Sequence, residues 1–430
     1  MISSTFSLTS IYMAPAVPGV VTEEGSVRFL RMATRAYAAV DEVPARIEEG
    51  ITHLAEALGY QVDCTATATA VFLTISSGDR QWTEVIRVQP AGPDFARAVA
   101  LHRLLERVAN GELTPDDGAA RLGQILQWRH ARSPIRTMLA SAMLSASAAL
   151  LLRAQVAELL IAIALGALVG LTLTFIAERR HLEPLAPVAL ATVASAVAFS
   201  ADTWVRTAVR PVPLLIASLV VFLPGWRMTV AMTELAQGHW TSGAGRFLAA
   251  ITTLLLLIVG VVVGQSAARS SEAFVMESTA SLPGWVRVTS PLLAGLALTH
   301  LFSARRRDAW WITLICILTS LASFLGGHLL GSTASAFVGG FTAMALGALV
   351  AIRLRLPYPV LQQPATLLLV PGSIGFLSFG SLVDRNTTNA IDTGFQMLFV
   401  ALTLALGAMT AQVALRPLTS PRRPPVRVLT

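Results

Sequence analysis

The chain has 430 residues, 54% of them hydrophobic and 13% charged, with a net charge of +7 carried entirely by arginine. The charged share is about half that of an ordinary soluble domain, which excludes a wholly soluble globular protein. The arginines cluster at the ends of apolar runs rather than along one face beside aromatics, which argues against nucleic acid as a partner. Cys64 lies in the polar N-terminal region and Cys316 in an apolar run, so no disulfide framework is expected.

Residues 1–21 are mildly apolar but lack a basic n-region, and read as a disordered leader rather than a cleaved signal. Residues 22–136 hold an ordinary mixture of Arg, Glu and Asp and read as a small α+β domain. In "PARIEEGITHLAEALG" (44–59), Ile47, Ile51, Leu54, Ala55 and Leu58 recur at helical spacing before Gly59. "YQVDCTATATAVFLTIS" (60–76) and "WTEVIRVQP" (82–90) alternate and are rich in β-branched residues, so two strands are expected. Helices follow over 94–112 and 113–127, the second with Thr114 as N-cap and Pro115 in first position. The basic link "WRHARSPIR" (128–136) suits lipid headgroups.

From Thr137 onward ten apolar runs of membrane-crossing length follow, at roughly 137–153, 157–176, 185–201, 211–235, 245–266, 288–304, 309–327, 332–352, 362–382 and 391–414. With the N-terminal domain inside, the short inside loops and the tail carry about twelve arginines against six outside, although Arg206 and Arg210 fall on the unfavoured side. Both termini are therefore expected in the cytoplasm, at the inner (plasma) membrane.

The fourth and ninth runs are interrupted by "FLPG" (222–225) and "LVPG" (369–372), 147 positions apart, and Gly245 and Gly394 open the next runs 149 apart. This spacing divides the membrane part into residues 137–266 and 288–415, with an external linker at 267–287 and a basic tail at 416–430. An odd number of helices per repeat turns the second copy upside down, the plan of many secondary transporters. The expected fold is thus a mainly α-helical polytopic membrane protein of about ten transmembrane helices, arranged as two five-helix inverted repeats behind a small α+β cytoplasmic domain.

Several motifs carry a resemblance. "VPARIEEGITHLAEALGYQVDCTATATAVFLTIS" is similar to an opening helix-and-strand pattern filled by Pro44, Arg46, Glu48, Leu58, Gly59 and Thr69. "LHRLLERVANGELTPDDGAARLGQI" (101–125) resembles the next block, and "FLPGWRMTVAMTELAQGHWTSGAGRF" is the most specific, with Gly238, His239, Ser242 and Gly243 in its polar turn. With "LLVPGS" (368–373), these resemble the threonine/serine exporter family, in two modules between residues 27 and 415. The resemblance implies a ten-helix inner-membrane protein that exports small hydroxy amino acids, driven by the proton gradient and needing no cofactor. The chain departs from the family in lacking a histidine in "VDEVPARIEE" and a proline before the strand threonines.

The Pro-Gly breaks are the substrate-site candidates, with Pro224, Gly225 and Arg227 in the first and Pro371, Gly372 and Ser373 in the second. Freed backbone groups at bilayer depth must face protein or water, and a half-helix N-terminus suits a substrate carboxylate. A packing kink is the alternative reading of each. For proton coupling Glu234 is the first candidate, Asp392 the second and His239 a relay. Asp202 and Asp384 read as interfacial, His300 and His328 have weak claims, and Arg227 could serve the substrate, pair with Glu234 or snorkel. No cluster has metal-ligand spacing.

Two other classes remain as alternatives. One is a membrane-anchored hydrolase using Arg46, Glu48, Glu49, Asp63, Thr67, Thr69 or His102; the other is a structural or signalling membrane protein. The expected partners are a small amino acid and the lipid bilayer, with a homo-oligomer left open.

Overall fold

The computed structural model describes residues 23–40, 42–88, 93–128, 133–177, 179–201, 209–269, 288–369 and 371–419. The leader 1–21, part of the basic link, Asp202, Arg206, Arg287, nearly all of the external linker and the tail beyond Thr419 lie outside them. The chain forms two compact units, residues 1–93 with 97–129, and residues 94–96 with 130–430.

The first unit is α+β. Helix α1 (Glu23–Ala39) was not among the expected elements, although Val27, Leu30, Ala33 and Thr34 recur at helical spacing on its buried face. Helix α2 (Pro44–Ala57) opens on its proline and ends before Gly59, whose φ of 81° favours glycine. The stretch read as one strand over 60–76 is two, β1 (Gln61–Ala66) and β2 (Ala70–Ser77). The Thr67 hydroxyl makes the reversal, donating to Ala70 O at 2.9 Å and accepting from Ala70 N at 3.1 Å. With β3 (Arg80–Arg87) they form an antiparallel sheet in the order β1-β2-β3. Helices α3 (Phe95–Ala109) and α4 (Pro115–Gln127) follow, and Thr114 Oγ1 accepts from Asp117 N at 3.2 Å as the expected N-cap. Phe29, Leu30, Ile47, Ile51, Leu73, Ile75, Leu101 and Leu122 fill the core.

The second unit is helical throughout. In the first half stand α5 (Pro134–Leu151), α6 (Val156–Ala177), α7 (Ala186–Ser200), the short α8 (Pro211–Ser218), α9 (Gly225–Ala236) and α10 (Trp240–Ala267). In the second half stand α11 (Ser290–Leu301), α12 (Ala309–Leu330), α13 (Ser332–Leu354), the short α14 (Pro359–Leu367), α15 (Pro371–Val383) and α16 (Thr387–Thr419). Eight segments among the described residues are long and apolar enough to cross a membrane. The fourth and sixth expected runs are not among them: the fourth is split into α8 and α9, and α11 has only 12 residues.

The two halves pack alike. In the first, α7 packs on α10, α9 on α10, and α8 sits among α5, α6 and α7; in the second, α13 packs on α16, α15 on α16, and α14 sits among α11, α12 and α13. Between halves α5 meets α11, α9 meets both α15 and α16, and α10 meets α15. The α5–α11 crossing is reciprocal, Ser147 and Ser290 each donating to the other's carbonyl at 2.9 Å. Small residues permit these approaches without a hydrophobic drive between apolar helices. Gly260 of α10 rests on Val188 of α7 and Gly407 of α16 on Phe337 of α13, and these glycines are again 147 positions apart.

Candidate functional site

The two Pro-Gly breaks meet. Pro224 caps the start of α9 and Pro371 opens α15, so each proline takes a place where its missing N–H leaves no gap in the helix. Gly225 and Gly372 are both buried. A methyl group placed on Gly372 would lie 2.9 Å from Gly225 N and 3.3 Å from Leu223 Cβ, so backbone touches backbone and only glycine fits. Both α9 and α15 therefore begin at one point. A helix start leaves its first N–H groups without intrahelical acceptors and carries a partial positive charge of roughly +0.5. Within α9 the ladder resumes with Met228 N on Pro224 O at 3.0 Å. Buried apolar side chains of both halves, Leu223, Met228 and Leu254 with Phe376 and Met397, share the core around this point.

Glu234 lies nine residues beyond Gly225 on the same helix, about 13 Å from the break at 1.5 Å per residue. It is 3% exposed, and its carboxylate lies 2.9 Å from Arg246 Nε of α10. The two charges form a close ion pair between α9 and α10. Ser242 is buried nearby, and His239 is half-buried in the tight turn between α9 and α10. That turn needs Gly238, whose φ is 89°, and closes as His239 N donates to Glu234 O at 2.9 Å.

A second buried carboxylate escaped the sequence reading. Glu158, in the first turn of α6, is 1% exposed and accepts from four donors. They are Arg210 N at 2.9 Å, Arg210 Nε at 2.8 Å, Arg210 Nη2 at 2.6 Å and Gln155 N at 2.8 Å. Arg210 Nη2 also donates to Arg153 O at 2.8 Å. The fork joins the α5–α6 turn to the start of α8. No local motif could have paired residues 52 positions apart.

A family model of the threonine/serine exporter matches residues 32–267, and a second, described as "Threonine/Serine exporter, ThrE", matches residues 288–414. The chain belongs to the threonine/serine exporter family. It is an amino-acid exporter of the membrane with two modules, and its apolar helices are those of a multi-pass protein. No curated protein and no solved structure matches it.

The exporter's remaining candidates are dispersed. Arg227 is exposed on α9 and Glu234 pairs with Arg246 instead, because seven residues along α9 put about 10 Å of helix between Arg227 and Glu234. Asp392 is exposed on α16, Asp384 is half-buried, and Ser373 is half-buried one residue beyond Gly372. His300 Nε2 lies 3.4 Å from Thr137 Oγ1, and His328 stacks edge-on against Phe324. Among the described residues no three His, Cys, Asp or Glu side chains are grouped as a metal site would need.

In the first unit three of the polar residues weighed for hydrolysis make local contacts. Glu48 accepts from Ala66 N at 2.8 Å, and Arg46 lies 3.6 Å from Glu42. His102 lies 3.2 Å from Glu106, and burial holds its ring below the ordinary imidazole range despite that carboxylate. Burial, reinforced by Glu48 and Asp63, pushes the Cys64 thiol up to about 12, which leaves it protonated and inert.

Proposed function

We propose that this exporter is a secondary transporter that carries threonine, serine or a similar small polar amino acid out of the cell by proton antiport. The reading places it in the plasma membrane with both termini cytoplasmic, the first unit being a cytoplasmic domain that gates or docks. The observation that carries it is the meeting of Gly225 and Gly372 at the starts of α9 and α15. Two helix N-termini brought side by side present like partial charges, and an anion lying beside both offsets that repulsion. A free amino acid supplies a carboxylate for those N–H groups and an ammonium for the carbonyls exposed where α8 and α14 end. Bilayer depth strengthens both contacts, because water competes less.

The reading counts the α8–α9 pair and the 12-residue α11 as spans beside the eight long segments, which gives ten, five in each family module. Five spans per module invert the second, so rocking of one half against the other would expose the breaks to each side in turn. Coupling falls to Glu234 with His239 beside it, and Asp392 is the second carboxylate to be tested. Since Glu234 stands about 13 Å from the break, it acts through the α9–α10 hairpin rather than by touching the substrate.

The test is efflux of labelled threonine and serine from preloaded vesicles carrying the purified exporter. Efflux should accelerate with an inward proton gradient, and Glu234→Gln should abolish the acceleration while sparing exchange of external for internal threonine. Leakage no faster than from empty vesicles, with or without the gradient, would refute the reading.

A further inference from the structure

The α9–α10 and α15–α16 hairpins match position by position at the spacing of the breaks, and they differ in charge. Glu234 corresponds to Ser381, Ser242 to Asn389 and Arg246 to Thr393, each pair 147 apart. The register holds in the contacts. A methyl on Gly243 would lie 2.9 Å from Ala231 O, and at the corresponding residues Ser378 Oγ donates to Ala390 O at 2.6 Å. Where the first hairpin closes over Glu234 and Arg246, the second closes with Asn389 Nδ2 donating to Ser381 Oγ at 2.8 Å. One hairpin encloses a carboxylate; the other encloses a neutral pair that is already satisfied.

The groups facing Glu234 are few. Arg246 comes from α10 and His239 from the turn; α14 and α15 carry no charged residue, and α16 carries only Asp392, which is exposed, and Arg416 near its far end. An ionised carboxylate buried beside a single cation keeps part of its desolvation cost. Two events relieve it: the carboxylate takes up a proton, or the hairpin opens to water.

We propose that the α9–α10 hairpin takes up a proton on Glu234 as it closes and releases it on opening, whereas the α15–α16 hairpin closes without one. Arg246 is a positioning residue whose cation sets the pH at which this happens. The proton balance is simple, water supplying the proton on closing and receiving it on opening. As the source of coupling this rests on the antiport reading, but the linkage of proton to hairpin is a property of the chain and needs no substrate.

Hydrogen–deuterium exchange of the full-length protein in lipid nanodiscs tests it, over roughly pH 5 to 9 and corrected for intrinsic exchange. The turn at 237–239 should be about tenfold better protected at the acid end, while the turn at 384–386 stays level. Glu234→Gln should hold 237–239 protected at every pH. Arg246→Gln should move the transition upward by about one pH unit, since loss of the cation favours the neutral acid. The proposal fails if protection at 237–239 is independent of pH, if 384–386 follows it, or if Glu234→Gln keeps the wild-type profile. Should Glu234→Gln not fold, the direction of the Arg246→Gln shift decides alone. A pH-linked turn without proton-driven efflux would sink the antiport reading and leave this one standing.

Discussion

Glu158 and Glu234 are both buried carboxylates beside an arginine, and they differ in what else touches them. Glu158 accepts four hydrogen bonds and holds Arg210 in a two-pronged grip, whereas Glu234 meets its one cation through a single close contact. The first arrangement is a fastening. Glu158→Gln should lower the unfolding midpoint in detergent by an amount equivalent to about 3–5 kcal/mol, because Arg210 is left buried without a counter-charge. The double variant Glu158→Gln/Arg210→Met should recover much of that loss, and no recovery would mean that the fork is not what holds α8. At the other end of the chain, Arg31 and Arg35 of α1 both donate to Glu84 of β3. Burial pushes the Glu84 carboxyl up, but the two guanidiniums outweigh it and hold the group below the usual carboxylate range. A depressed folded value means that the stabilisation is present above the unfolded value of about 4 and is lost as pH falls through the folded one. Melting of the first unit within the full chain, followed by exchange over 23–128, should weaken on acidification below about pH 4. Glu84→Gln should flatten that part of the profile.

At the level of elements, the break between α8 and α9 is a change of helix rather than a bend. Leu219 ends one ladder, turns at Phe222 and Leu223 follow, and Gly225 begins the next helix against Gly372. Gly372→Ala inserts a methyl 2.9 Å from Gly225 N and must push α9 and α15 apart. The expected penalty is about 1–3 kcal/mol of overpacking. Because the strain falls on the meeting point of the breaks, threonine efflux should fall much further than the unfolding midpoint. A fall in both to the same degree would mark the contact as packing alone. The helical spacing that predicted α2, α3 and α4 is strong because each buries one apolar face against a sheet or helix. Spacing is a weaker guide within a bilayer, where helices are apolar all round and only their breaks stand out.

Across the whole second unit, the interval of 147 residues governs breaks, glycine contacts and hairpin turns alike. Gly260→Leu and Gly407→Leu make the comparison directly, since each puts a side chain into the facing backbone of α7 or α13. Each should cost at least about 1–3 kcal/mol by overpacking. If the halves share one packing plan, the two losses of folded protein, measured by size-exclusion recovery after heating, should be similar. A large loss for one and none for the other would break the equivalence.

Composition, the lengths of the apolar runs and the spaced Pro-Gly pairs were enough to show a polar α+β domain followed by a helical membrane part with an internal repeat. These are properties of chemistry and spacing along the chain: backbone groups in lipid must bond within a helix, and proline with glycine interrupts that bonding wherever it occurs. Helix α1 has an apolar spacing as regular as that of α2, yet its place against the sheet and α4 came only with the fold. The partners of Glu158 and Glu234 came only with the fold, since residues 52 and 12 positions apart are brought together by helix packing and not by local periodicity. Tertiary structure also decided that Gly225 and Gly372 touch. A sequence can place two breaks one repeat apart, but only the packing of one half on the other brings their backbones to a single point.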